Sequence, residues 1–330
     1  MHKVLSLGEL LLRFETYADP EISEASSGLF KMYPGGSEAN VSVVLSTLEI
    51  PVSYFTAVPD HILAKNALEV LEHKGVDISK VLIQGDRIGL YFLEGYNGLT
   101  TGEVVYDRKF SSFYNIDEEY LDWDQLFEGC TWFHWSAITP SLSERWIHIM
   151  KKVLKEAKKR NLFISVDLNY RNRLWDFGID PKEAMLELVT FCDVIMGNIW
   201  SSHLMLGTSV QEDFDRNTSK QDYYIFSEKV SLEIFTQFPQ CQHIANTFRF
   251  MDHPKHNLFY GTYHTRDGNW ISESYETMEV VDRIGSGDAF MGGLIYGICQ
   301  NNNPKEIIDF ATLMGFEKLF IPGDFYSKII

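Results

Sequence analysis

The chain has 330 residues, 45% hydrophobic and 23% charged, a balance that lets a soluble globular protein bury a sizeable core in one large α/β domain or two smaller ones. A formal net charge of −17 argues against nucleic acid or an anionic membrane surface as a partner. The same acidity means that any anionic ligand has to be met by local arginines or lysines. No apolar run is long enough to cross a bilayer. The cysteines, Cys130, Cys192, Cys241 and Cys299, stand far apart without a C-x-x-C pair. That fits buried thiols in a reducing compartment such as the cytoplasm, and neither a disulfide framework nor a zinc site.

The N-terminal stretch MHKVLSLGELLLRF holds Glu9 and Arg13 among apolar residues and lacks a small-residue cleavage site, so it reads as a first strand rather than a signal peptide. Residues 3–7 form a buried strand that Gly8-Glu9 ends. Residues 10–34 mix short apolar pieces with Asp, Pro, Ser and Gly, as a small exposed sheet does. From Gly35-Gly36 a helix starts, with Ala39, Val43, Val44 and Leu48 on one face. A strand over 52–58 and a helix over 62–74 follow. Residues 88–94 and 102–108 read as two strands joined by the turn-rich YNGLT, a hairpin.

The alternation then resumes with strand 131–138 and helix 143–160, whose Trp146, Met150, Val153, Leu154 and Ala157 share a face. Strand 163–169, a helix near 181–191 and strand 193–198 continue it. Such a run of βα units predicts a mainly parallel sheet with right-handed crossovers. Residues 208–222 are polar and turn-rich, a surface excursion; 242–275 read as strands and a hairpin, and a helix near 304–320 precedes the tail. The segments 10–34 and 88–108 break the rhythm, because neither is followed by a helix. They can pair as a small sheet projecting from the main one, either as a flap over the carboxyl ends of the parallel strands or as a plain edge extension.

Residues 280–299, VVDRIGSGDAFMGGLIYGIC, are the most informative stretch. An apolar run ends in the turn Gly285, Ser286, Gly287; Asp288 follows, and an apolar helix pattern begins at once. Glycines let backbone N–H groups approach an anion, and the helix N-terminus adds partial positive charge at the same point. Asp288 is then placed to take a proton from a hydroxyl that attacks a phosphate. A Gly-rich turn capped by Asp is also a common connector in α/β proteins, and the residues alone leave that reading open. The spacing Gly285, Gly287, Gly292 is not the dinucleotide-binding G-x-G-x-x-G, and no G-x-x-x-x-G-K-[ST] occurs.

GGSEANVSVVLSTLEIPVSYFTAV (35–58) resembles the N-terminal signature of the ribokinase-like (PfkB-type) carbohydrate kinases, and DRIGSGDAF (282–290) their C-terminal signature. Both lie in the family's order, and the resemblance covers essentially the whole chain. It implies a three-layer α/β/α fold over residues 1–330 as one kinase domain, with a mainly parallel central sheet and a small β-sheet lid from about 10–34 and 88–114. Within the family, DLNYRNRLW (167–175), VVYDR (104–108) and IPGDF (321–325) look most like 2-keto-3-deoxygluconate kinases.

The resemblance assigns Asp288 as general base and Gly285, Ser286 and Gly287 as the anion hole for the transferred phosphoryl group. It places the acceptor sugar acid on Gly35, Gly36, Asn40, Tyr91, Tyr106, Arg108, Arg171 and Asp324. Arg108 and Arg171 suit a carboxylate through their bidentate fork, while Tyr91 and Tyr106 also read as cross-strand packing and the arginines as surface ion pairs. ATP would meet Asn169, Asn198, Thr247 and Arg249, with Mg²⁺ neutralising the triphosphate; a monovalent cation is compatible with the pattern. This chain departs from relatives at two places. Their N-x-x-E element reads Asn198-Ile199-Trp200-Ser201 here, without the acid, and their K-x-G-x-x-G loop reads IANTFRF (244–250). The resemblance also implies a homo-oligomer joined through the lid sheet, with Leu90, Phe92 and Val104 as an apolar seam.

Two other features invite a reading. His253, His256 and His264 lack a helical spacing with an acid and read as part of a solvated loop rather than a metal site. His134 falls within a strand, as a core or interface histidine does, and KKVLKEAKKR (151–160) is an exposed helix face.

Overall fold

The computed structural model describes residues 2–16, 30–94 and 103–327. In chain order the elements are β1 (Val4–Leu7), β2 (Leu11–Thr16), β3 (Phe30–Gly35), α1 (Ser37–Thr47), β4 (Val52–Phe55), β5 (Ala57–Val58), α2 (Ile62–His73), β6 (Leu82–Ile83), β7 (Gly89–Glu94) and β8 (Glu103–Asp107). They continue with α3 (Trp123–Phe127), β9 (Trp132–Ser136), α4 (Glu144–Lys159), β10 (Phe163–Asp167), α5 (Pro181–Leu188), β11 (Val194–Gly197), α6 (Ile199–Leu206) and α7 (Lys220–Gln237). The last are β12 (His243–Phe250), β13 (Asn257–Thr265), β14 (Gly268–Ile271), β15 (Tyr275–Thr277), α8 (Ser286–Cys299) and α9 (Pro304–Glu317).

A nine-stranded sheet runs β14-β13-β12-β11-β10-β9-β1-β4, with β15 also on β13. From β4 to β12 all neighbours are parallel, and β13, β14 and β15 add antiparallel pairs. Strands covered on both faces need apolar residues on both sides of the pleat. Accordingly Leu5, Leu7, Phe133 and Trp135 join the core under α4 and α7, whereas Val4, Val52 and Trp132 join the core under α1, α8 and α9. These are the expected three layers. Helix α4 shows why the pattern is readable: Ser143 caps it, and Trp146, Met150, Val153, Leu154 and Ala157 are all buried.

Helices α1 and α8 lie side by side, and Gly292 of α8 faces Val44 of α1 so closely that a Cβ there would sit 2.7 Å from the Val44 Cβ. The absence of a side chain sets the separation of the two helices.

The second sheet has the order β3-β2-β7-β8, so the segments near 10–34 and 88–108 do pair. The tip YNGLT and residues 17–29 lie outside the described residues. Alternation gives this sheet two faces. Arg13, Tyr91 and Tyr106 are in register on one face, and Phe14, Phe92 and Val105 on the other. Val104 pairs with Leu93 and lines the inner side, so Val105, 48% exposed, takes the outer position that Val104 was expected to hold. One residue of register moves a side chain to the opposite face.

Other elements differ from the sequence reading. The strand expected over 52–58 is interrupted at Thr56, and β5 pairs with β6 instead of continuing β4. The excursion at 208–222 ends at Ser219, which caps α7. Helix α7 has no clean stripe: Tyr223, Phe226, Val230 and Ile234 are buried, but Ile225 and Leu232 point outward at 53% and 67% exposure. His264 and His256 are not in a solvated loop. His264 sits buried in β13 bonded to Asn269, and buried His256 contacts Glu276 at 2.8 Å. His134 is a core residue, as expected, hydrogen-bonded to Ser165.

Candidate active site

The loops at the carboxyl ends of the parallel strands, where open α/β sheets bind ligands, surround a cavity of about 630 Å³. The inner face of the second sheet contributes Tyr91, Leu93, Val104 and Tyr106 to its wall. Every residue assigned to the site from the sequence lines this cavity except Gly35, which packs beneath the Asp324 carboxylate.

Two helix N-termini converge on one carboxylate. Gly36 caps α1 at φ 140°, and a Cβ there would collide with the Glu9 carbonyl oxygen. Gly285 caps α8 at φ 81°, in the left-handed region, and a Cβ there would collide with the Asp324 carbonyl oxygen. Only glycine satisfies both demands. In the first turn of α8, Asp288 accepts hydrogen bonds from Ser37 Oγ at 2.7 Å and Asn40 Nδ2 at 2.7 Å, both from the first turn of α1. Asn169 Nδ2 donates to Ser37 Oγ at 3.1 Å and extends the chain of contacts to the loop after β10. Burial raises the pKa of Asp288, and the bonds from Asn40 and Ser37 oppose that rise. A buried carboxylate with a raised pKa and a held geometry is suited to accept a proton.

Positive charge gathers on the other side of Gly285–Gly287. Arg249 Nη1 donates to Ser286 Oγ at 3.0 Å. Arg249 opens to the cavity, yet solvent exclusion around its guanidinium, and then repulsion from Arg171 and Arg283, lower its pKa to about 10. Arg283 is 5% exposed, donates from Nη2 to the His256 carbonyl, and leaves buried Nε and Nη1 without a partner. Arg171 lines the cavity and is exposed. Thr247 Oγ1 donates to the Gly197 carbonyl at 3.3 Å. Unpaired guanidinium donors beside a helix N-terminus fit a polyanion.

Arg108 and Asp324 line the cavity and each already has protein partners. Arg108 Nε is held by Glu9 Oε2 at 2.6 Å, and the pair is buried. Asp324 accepts from the Tyr91 hydroxyl at 2.7 Å, and its Oδ1 lies 2.9 Å from Arg13 Nε, close enough for an ion pair but not aligned as a hydrogen bond. Arg13, wholly buried in β2, also binds Asp282 Oδ2 at 2.6 Å. Burial alone would lower the Arg13 pKa, and Asp324 and Asp282 more than reverse it. Burial lifts Asp324 to about 6 against the pull of Arg13. A buried cation in a strand needs such partners, so Glu9 and Arg13 inside an apolar stretch were signals for this network.

Ser201 stands where the N-x-x-E element has its acid. Asn198 caps α6 by accepting from Ser201 N, while Ser201 Oγ accepts from Asn198 N, a reciprocal box that a Glu at the same position could also close. The Asn198 side-chain oxygen is therefore engaged in the cap. Sequence reasoning also passed over Asp167 and Glu38. Burial, and then the charge of Asp288, lifts Asp167 to about 7. Burial lifts Glu38 to about 7; its Oε1 accepts from Ser136 N and Oγ at 2.9 and 2.6 Å. Each stands beside a motif residue, and acids within apolar strand or helix runs were the available sign. Among the described residues no group of three or more His, Cys, Asp and Glu side chains is arranged to hold a metal ion.

The sheet order, the capped helix pair and the basic cavity define a phosphotransferase-type α/β fold. The profile of the pfkB family carbohydrate kinases matches residues 1–216 and 258–318, and the chain belongs to that family. It is 30% identical to 2-dehydro-3-deoxygluconokinase from Thermotoga maritima, whose solved structure superposes with a TM-score of 0.89 over 99% of this chain and 97% of that one. A 2-dehydro-3-deoxygalactonokinase from Haloferax volcanii is 23% identical over 98% of this chain and 92% of its own. The fold is shared with a fructokinase with bound ATP from Xylella fastidiosa, at 17% identity and a TM-score of 0.76 over 98% of this chain and 93% of that one. The protein is thus a carbohydrate kinase.

Proposed function

We propose that the protein phosphorylates 2-keto-3-deoxygluconate at its 6-hydroxyl with ATP, giving the 6-phosphate. The observation that carries this reading is the convergence of α1 and α8 on Asp288, with the Gly285–Gly287 amides next to it and Arg249 on Ser286. The likeness to the 2-dehydro-3-deoxygluconokinase of T. maritima supports the acceptor. In the reaction Asp288 takes the hydroxyl proton, the hydroxyl oxygen bonds to the γ-phosphorus, and ADP leaves with the bridging oxygen. General-base assistance of this kind is worth about 10²–10⁴ in rate, and each anion-hole donor about 10² or more.

Arg249, Arg283 and the α8 N-terminus would hold the triphosphate, their unpaired donors matching its charge. Mg²⁺ would supply neutralisation of that charge. Arg171, and Arg108 as held by Glu9, would receive the acceptor's carboxylate, while Asn40 and Gly36 face its hydroxyls. The second sheet serves as a lid that excludes water, and the outer face with Phe30, Met32 and Val105, 46%, 41% and 48% exposed, is where two copies would join. The free thiols, of which Cys192, Cys241 and Cys299 are buried, and the absence of a membrane-spanning helix among the described residues suit work in the cytoplasm.

The test is ATP consumption over a panel of keto sugar acids and neutral sugars. Turnover is expected with 2-keto-3-deoxygluconate, with Arg171→Ala and Arg108→Ala raising its KM far more than that of a neutral sugar. Turnover that survives Asp288→Asn overturns the mechanism. Turnover of fructose or ribose alone reassigns the acceptor, and none with any acceptor favours a non-catalytic sugar-binding role.

A further inference from the structure

Lys318 takes no part in proton transfer, yet its side chain is wholly buried directly behind the anion hole. Its Nζ donates to the carbonyl oxygens of Ile321 at 2.9 Å and Gly323 at 2.8 Å. The segment it organises is laced to the signature loop: Val281 N and Asp282 N both donate to the Leu319 carbonyl, and Gly323 N donates to Asp282 Oδ2 at 3.0 Å. A Cβ on Gly285, the residue that opens α8, would lie 3.3 Å from Lys318 Cε. The lysine chain therefore runs under the first turn of α8.

Two properties of this placement point beyond packing. The ammonium is bound by carbonyl oxygens rather than by a carboxylate, the ligand type that a bare monovalent cation takes. It also offsets negative charge, since buried Arg13 and Lys318 face buried Asp282 and Asp324, with Glu15 also 3.8 Å from Arg13. Burial lowers the lysine pKa, and Asp282 and Asp324 act against that. A neutral side chain there would leave more uncompensated negative charge below the point where phosphoryl charge develops, together with two unsatisfied carbonyls.

We propose that Lys318 is a positioning residue for phosphoryl transfer: its ammonium is a resident cation that fixes the Ile321 and Gly323 carbonyls and adds positive charge beneath the Gly285–Gly287 anion hole. The inference rests on the kinase reading above, and its first test needs no acceptor. Calorimetry with MgATP on Lys318→Met should show affinity lowered by about tenfold or more. Turnover of the best acceptor should fall by about 10²-fold with its KM little changed. In Lys318→Ala, where the shortened chain leaves room, added ammonium or potassium should restore part of the MgATP affinity.

A Lys318→Met protein that binds MgATP as the wild type does overturns the proposal, whatever the acceptor is. So does a loss in Lys318→Ala that no small cation relieves, because the residue then serves folding alone. Should neither variant fold, the wild-type protein decides. Replacing sodium and potassium by choline should leave its MgATP affinity unchanged, and a loss of about tenfold would mean that a free ion does this work.

Discussion

Asn40 and Asp288 are 248 residues apart in the chain, and the Asn40 amide donates to the Asp288 carboxylate at 2.7 Å. The bond joins the first turns of α1 and α8, so a single carboxylate is in place only when both helix starts are. The N-terminal and C-terminal signatures are in this sense two halves of one structural unit.

Under the proposed mechanism, replacing Asp288 by Asn removes the base and leaves the shape. Turnover is expected to fall by about 10²–10⁴. MgATP affinity should hold or improve, because a negative charge beside the phosphate site has gone. Steady-state kinetics with calorimetry on the same preparation measures both.

Asn40→Ala should move the pH profile. The Asn40 bond stabilises the charged form of Asp288, whose pKa burial has already raised. Its loss removes a hydrogen bond made to the charged form and so raises that pKa further. If Asp288 is the base, as proposed, activity falls as it takes up a proton, so the acid limb of kcat/KM shifts to higher pH. An unshifted limb in an active, folded Asn40→Ala protein would separate Asn40 from the base.

Glu38→Gln tests the cost of a buried carboxyl. The folded pKa is raised from 4.5 to about 7, so the group's favourable contribution is complete below its unfolded pKa and is lost as pH rises through about 7. At about 1.4 kcal/mol per unit, the effect is of order 3 kcal/mol. Gln keeps an acceptor for Ser136 and does not titrate. Denaturation between about pH 5 and pH 8 should therefore show a smaller fall in stability for Glu38→Gln than for the wild type.

Arg13→Met should be severe. It leaves Asp282 and Asp324 buried without their shared cation, and breaking a buried pair in this way costs about 3–5 kcal/mol. Arg13→Lys keeps the charge but loses the fork that spans two carboxylates, and should fall between. Urea unfolding of the three proteins gives the order directly.

The parts legible in the sequence share a physical reason. Residues 163–167 and 194–197 are covered on both sides because helices lie over both faces of their sheet, and the glycines at 36 and 285 are demanded by φ and by a carbonyl in contact. Helix α7 was illegible because outward-pointing Ile225 and Leu232 erase its amphipathic period. The pairings of Arg108 with Glu9 and of Asp324 with Arg13 join residues 99 and about 300 positions apart. No local pattern encodes such distances, although a charge in an apolar strand shows that a partner exists. Val104 and Val105 show a third limit, since strand propensity does not reveal which of two adjacent valines faces outward.

Gly292 lies one helical turn beyond Asp288 and touches nothing that reacts, but its bare Cα lets Val44 come close. It is a spacer: its missing methyl fixes the interval across which the amide and hydroxyl of one helix reach the acid of the other. An alanine at this position would push the two helices apart and, under the proposed mechanism, mistune the proton acceptor, so sites of kinetic consequence here extend into the dry seam behind the chemistry.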